Sequence, residues 1–191
     1  MNIIPPNRLF IPQAYQSALV VIDLQDKLIP AMPAATIESV LINAAILIQG
    51  CQTLNVPILV TEQYSKGLGK THANLAAHLG NNPIYEKLTF SSYRQAQFRL
   101  ELERLHVQQV LLCGIETHIC VLQSALDLLH NGFEVFAAAD AMCSRSAFNY
   151  QTGLQLMRDA GVVVGSTETF LFQMLEEAGS ERFKQISKLV K

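Results

Sequence analysis

The stretch VLLCGIETHICVLQSALDLLHNG, residues 110–132, decides how this chain folds. Val110 to Cys113 is an unbroken apolar run, the pattern of a strand buried on both faces. A turn through Gly114 and Thr117 follows. Beyond it Val121, Ala125, Leu128 and Leu129 recur at the spacing that places them on one helical face. Asn131-Gly132 then supplies a stop, because both residues tolerate the left-handed backbone that ends helices. The next run, Phe133 to Ala138, reads as another strand, so the whole is a βαβ unit.

The same alternation extends in both directions. Ala18 to Asp23, Pro57 to Thr61, Pro83 to Lys87, Gln108 to Cys113, Phe133 to Ala138 and Val162 to Val164 read as buried strands. Ile37, Val40, Leu41, Ala44, Leu47 and Ile48 share a helical face, and Ser166 to Glu177 reads as a helix packed through Phe170, Leu171, Met174 and Leu175. Thr36, Thr117 and either Ser144 or Ser146 are expected N-caps, and Gly161 is a second helix stop. Six strands alternating with helices predict an α/β fold: a doubly wound, Rossmann-like parallel sheet with helices on both faces. Residues 1–191 form one domain in this reading, with 1–16 a Pro-rich arm and 180–191 an amphipathic tail.

Composition narrows the function. Half of the 191 residues are apolar and only 16% are charged, which predicts a large core and some surface covered by a second copy. A homo-oligomer, dimer or tetramer, is therefore expected. A net charge of -2 and a pI near 6.2 lack the positive field that phosphate backbones require, so nucleic acid is not an expected partner. The runs Ala18–Ile22 and Val110–Cys113 are strand-sized, well short of the ~20 residues of a membrane span, and no membrane partner is expected. MNIIPPNRLF does not have the form of a signal peptide, and a cytosolic protein is expected. Cys51, Cys113, Cys120 and Cys143 are widely spaced and read as reduced thiols. No CxxC or HExxH pattern occurs, so no metal or other cofactor is expected.

Three polar residues stand at the carboxyl ends of strands, the rim where open α/β sheets carry their sites. Asp23 closes Ala-Leu-Val-Val-Ile-Asp, Lys87 closes Ile-Tyr-Glu-Lys, and Cys120 follows the fourth strand just inside a helix. Each alone could be a cap or a filler. A cysteine in the first turn of a helix lies among unpaired N–H groups that favour a thiolate, which is a nucleophile's position. Gly69-Lys70-Thr71 imitates the end of a phosphate loop, but Tyr64 stands where the first glycine is required.

The motifs CGIETHICVLQSALDLL, VVIDLQ, TEQYSKGLGKT, EKLTFSSY, ADAMCSRS and LMRDAGVVVGSTET together resemble the isochorismatase-like hydrolases. The resemblance runs from Ser17 to Leu175 and is strongest to isochorismatase domain-containing proteins and similar bacterial hydrolases. It implies a strand order of 3-2-1-4-5-6 and a catalytic triad of Asp23, Lys87 and Cys120. It also implies a cis peptide at Ile115-Glu116, and an oxyanion hole from the backbone N–H groups of Glu116 and Cys120. In that order strands one and four are neighbours ~4.8 Å apart, and strand three lies ~10 Å from strand one, within reach of a lysine. Gln25, Tyr64, Phe90 and His118 are the candidate substrate-pocket residues, and the resemblance also brings the loop of Asp140, Ser144 and Arg145 near the site.

Nicotinamidases share such a triad but carry a metal-binding Asp-x-His pair, and Thr61 to Thr71 contains neither residue. True isochorismatases commonly lack the cysteine. The resemblance thus implies a metal-independent cysteine hydrolase acting on a small amide, imide or carbamate-type C–N bond through a thioester. The alternative is a non-catalytic member that keeps the fold to bind a metabolite or a protein.

Overall fold

A computed structural model describes residues 10–191. The strands are β1 (Ser17–Ile22), β2 (Ile58–Gln63), β3 (Ile84–Lys87), β4 (Gln109–Ile115), β5 (Glu134–Cys143) and β6 (Val163–Gly165). They form one sheet of order β3-β2-β1-β4-β5-β6 in which every pairing is parallel. The helices are α1 (Ala34–Thr53), α2 (Ser65–Leu68), α3 (Ala73–Leu79), α4 (Ala96–Arg104), α5 (Leu122–His130), α6 (Ala147–Ala160), α7 (Thr167–Leu175) and α8 (Glu181–Leu189). A π turn, Thr117–Val121, leads into α5.

The apolar runs of β1 and β4 are explained by two cores. Successive side chains of a strand point to opposite faces. Leu19, Val21, Leu111 and Cys113 join a core with α1, α3, α7 and α8. Ala18, Val20, Ile22, Val110 and Leu112 join a second with α4, α5 and α6. Burying one Val, Leu or Ile side chain stabilises by about 1.5–3 kcal/mol, so these central strands anchor both layers.

Some expected boundaries shift. Helix α1 starts at Ala34 after Pro33 instead of at a Thr36 cap, and Glu116 rather than Thr117 precedes the π turn. Ser146 caps α6 by accepting the N–H of Asn149 at 3.2 Å, and Gly161 ends that helix in the left-handed region. Most of the expected arm, residues 1–9, lies outside the described residues. The tail holds α8, whose Ile186 is fully buried in the first core. Helix α1 is long and apolar enough to cross a membrane, which the strand-sized runs did not suggest. It packs on the sheet through Val40, Ala44, Leu47 and Ile48.

Candidate functional site

The carboxyl end of β1 is where the sheet turns polar. Asp23 follows Ile22 with φ 53°, a left-handed conformation that aspartate tolerates better than most residues. Its own N–H still donates to the Thr61 carbonyl of β2 at 3.1 Å. The strand therefore bends sharply while remaining tethered, and the carboxylate is carried into the protein. Neither the Asp23 nor the Lys87 side chain is exposed, and Lys87 Nζ lies 2.6 Å from Asp23 Oδ2. Thr61 Oγ1 donates to the other carboxylate oxygen at 2.8 Å.

Cys120 enters from the other side of β1. Gly114 makes this possible: it has φ 129°, and a Cβ there would collide with the Ile22 carbonyl. The bond Ile115-Glu116 is cis, as expected. Glu116 then binds the main-chain N–H and the guanidinium of Arg145 at 3.0 and 3.1 Å, tying the turn to the loop after β5. Close approach at Gly153 of α6 supports the same turn, since a Cβ would sit 2.9 Å from the His118 Cα. Ser124 accepts from the Ser92 N–H at 2.8 Å and donates to the Cys120 carbonyl at 2.7 Å. The helix that carries Cys120 is thereby joined to the loop that follows Lys87.

The charges of both Asp23 and Lys87 act on the Cys120 thiol. Burial pushes it up to about 12, reinforced by the charge of Asp23 and opposed by that of Lys87. Asp23 is itself raised by burial, which outweighs the lowering by Lys87, Thr61 and Cys120. Burial and the charge of Asp23 thus work against the thiolate expected of a cysteine at a helix start, and burial raises the proton affinity of the neighbouring carboxyl.

The three triad positions are brought together, and the pocket residues divide. Gln25 is not a pocket residue: it is fully buried, and its amide is spent on the main chain of Gln63 and the Gly69 carbonyl. Tyr64 is half exposed and lines a cavity of about 620 Å³ with Lys66, Lys70, Lys87 and Leu88. Phe90 is half exposed on the loop after Lys87. His118 points its Nδ1 to Ser144 Oγ at 3.0 Å. Asp140 accepts the N–H and hydroxyl of Thr167 at 2.7 and 2.9 Å, at the start of α7. Cys51, Cys113 and Cys143 are buried free thiols.

Sequence reading missed Thr61, Glu62 and Gln63. Buried Glu62 accepts from Thr71 N–H, Thr71 Oγ1, Ser65 Oγ and Lys70 Nζ at 2.8–3.1 Å, and so organises the whole 64–71 loop. Their signal was present: three polar residues directly continue the Ile-Leu-Val run of β2. No group of three or more His, Cys, Asp or Glu that could hold a metal occurs among the described residues.

A doubly wound parallel sheet with Cys, Asp and Lys near its carboxyl rim is an open α/β architecture with its polar site at the strand ends. The isochorismatase domain matches residues 17–169, and the chain belongs to the isochorismatase family. It is 39% identical over 175 residues to isochorismatase domain-containing protein 2A of Mus musculus, covering 92% of this chain and 82% of that one. Among solved structures, the MAR1 ribonuclease of Caenorhabditis elegans superposes with TM-score 0.88 at 34% identity, over 94% of this chain and 92% of that one. The YcaC gene product of Escherichia coli, described as an octameric hydrolase of unknown specificity, shares the fold with TM-score 0.88 at 18% identity. That alignment covers 97% of this chain and 92% of the other.

Proposed function

We propose that this chain is a metal-independent cysteine hydrolase cleaving a small amide, imide or carbamate-type C–N bond through a thioester. The observation that carries the reading is a fully buried Asp23–Lys87 ion pair whose charges both act on the Cys120 thiol. Burying two charges costs several kcal/mol per ion, and hydrophobic residues of similar volume would serve stability as well. Chemistry gives the pair a purpose.

In the proposed reaction Asp23 takes the Cys120 proton as sulfur attacks the carbonyl carbon. Lys87 keeps positive charge beside the forming thiolate. The carbonyl oxygen becomes an oxyanion held by the backbone N–H groups of Glu116 and Cys120. Asp23 returns the proton to the departing nitrogen, the C–N bond breaks, and a thioester remains. Water then attacks the thioester, giving its proton to Asp23. The C–S bond breaks, sulfur recovers the proton from Asp23, and a carboxylic acid or, from a carbamate, a carbonic acid half-ester leaves. Tyr64, Phe90 and His118 remain the proposed substrate contacts.

We place the protein in the cytosol as a homo-oligomer without nucleic-acid or membrane partners; the described octamer of the E. coli neighbour supports assembly. A screen of small amides, imides and carbamates for ammonia release tests the function, with a short RNA included because the C. elegans neighbour is described as a ribonuclease. Ammonia release unaffected by chelator is expected. RNA cleavage without amide turnover would replace the reading, and an unreactive Cys120 with no turnover would favour the non-catalytic alternative.

A further inference from the structure

Lys87 has three N–H donors, and Asp23 engages one of them. A second is met by Gln63 Oε1, 2.8 Å from Nζ. Gln63 is the last residue of β2 and stands in register with Lys87 on β3. Its own amide Nε2 donates to the Leu88 carbonyl at 2.9 Å, which fixes which oxygen faces the lysine.

The main chain of Gln63 is also secured in an unusual way. The paired register of β1 stops at Ile22, opposite Thr61, so on that side no strand continues beside the end of β2. The side chain of buried Gln25 takes that strand's place: its Oε1 accepts the Gln63 N–H at 2.7 Å, and its Nε2 donates to the Gln63 carbonyl at 3.0 Å. Gln25 therefore holds Gln63, and Gln63 holds the ammonium.

We propose that Gln63 is a positioning residue of the site, acting through Lys87; the proposal rests on the reading of Cys120 as nucleophile. A lysine ammonium is a point charge on a flexible stem with freely rotating donors, so its position is set by its acceptors. With only Asp23 to bind, Nζ settles on the carboxylate and leaves the sulfur. The neutral amide oxygen draws it aside without neutralising it. A carboxylate in that place would compete with Asp23 for the same charge, which accounts for glutamine over glutamate. Gln63 touches neither sulfur nor substrate in this role.

The test uses the purified full chain and iodoacetamide, with alkylation of Cys120 followed by mass spectrometry at one mildly alkaline pH. Gln63→Met keeps the volume and removes the acceptor, and the alkylation rate constant is expected to fall about tenfold. In a Lys87→Met background the same change is expected to have almost no further effect, because its route runs through the missing ammonium. Should Gln63→Met fail to fold, Gln63→Asn, which retracts the amide by one methylene, is expected to show the same dependence on Lys87. A wild-type rate in a folded variant, or an equal fall in the presence and absence of Lys87, overturns the proposal. Full turnover in Cys120→Ala would instead sink the hydrolase reading, while the coupling read from the thiol would still decide the role of Gln63.

Discussion

The ammonium of Lys87 and the carboxylate of Asp23 lie 2.6 Å apart with both side chains fully buried, joining the ends of two strands that have β2 between them. Removing one partner leaves an uncompensated buried charge. Lys87→Met should therefore cost about 3–5 kcal/mol of stability and slow Cys120 alkylation. Asp23→Asn keeps the shape but removes the proton acceptor, so it should abolish acylation. The double variant should lose far less activity than the two losses combined, since both act on one sulfur. Denaturant unfolding and single-turnover kinetics measure these effects; an unaltered alkylation rate in Lys87→Met would make the lysine merely structural.

Cys120→Ala and Cys120→Ser should each lower turnover by about a thousandfold or more, because neither can form a thioester. Their unfolding curves should remain close to wild type, as the site is a small part of the second core. Activity retained by the alanine variant on any substrate found would end the mechanism.

The pH dependence of the free enzyme's thiol should be opposite to that of a preformed thiolate. With Cys120 pushed up to about 12, its alkylation should keep climbing with pH beyond the ~8.5 of an ordinary cysteine. Turnover should nevertheless proceed near neutrality, since the proton passes to Asp23 during attack instead of to solvent beforehand. A plateau in alkylation below neutral pH would contradict this account.

Glu62 offers a separate pH test. Burial alone would raise its carboxyl, but hydrogen bonds from Thr71, Lys70 and Ser65 outweigh that and hold it below its usual 4.5. A depressed folded value stabilises the protein above 4.5 and loses that stabilisation as pH falls through the folded value. Wild type should melt above Glu62→Gln near neutrality, and the gap should narrow in acid below about 4.5. A gap independent of pH would show that the ionised carboxylate contributes nothing there.

Much of this was legible before any coordinates, because it depends on local pattern. Apolar runs without alternation demand burial on both faces, and their alternation with helical stretches leaves few architectures beyond a doubly wound sheet. Asp23, Lys87 and Cys120 could be singled out as polar residues at strand ends. Their family resemblance supplied the pairing that periodicity could not.

Gln25, Glu62 and Gln63 show where local reading stops. A buried amide can touch substrate or complete a neighbouring strand, and composition does not distinguish these; only the end of β1 at Ile22 leaves Gln63 with an open side for Gln25 to fill. The protonation of Cys120 is likewise a tertiary property. Sequence by itself determined the layers and the rim, since those follow from spacing along the chain, and it marked Asp23, Lys87 and Cys120 as candidates. The fold alone decided how deeply they are buried and which charges face one another, and burial and distance set the energy of every proton at the site.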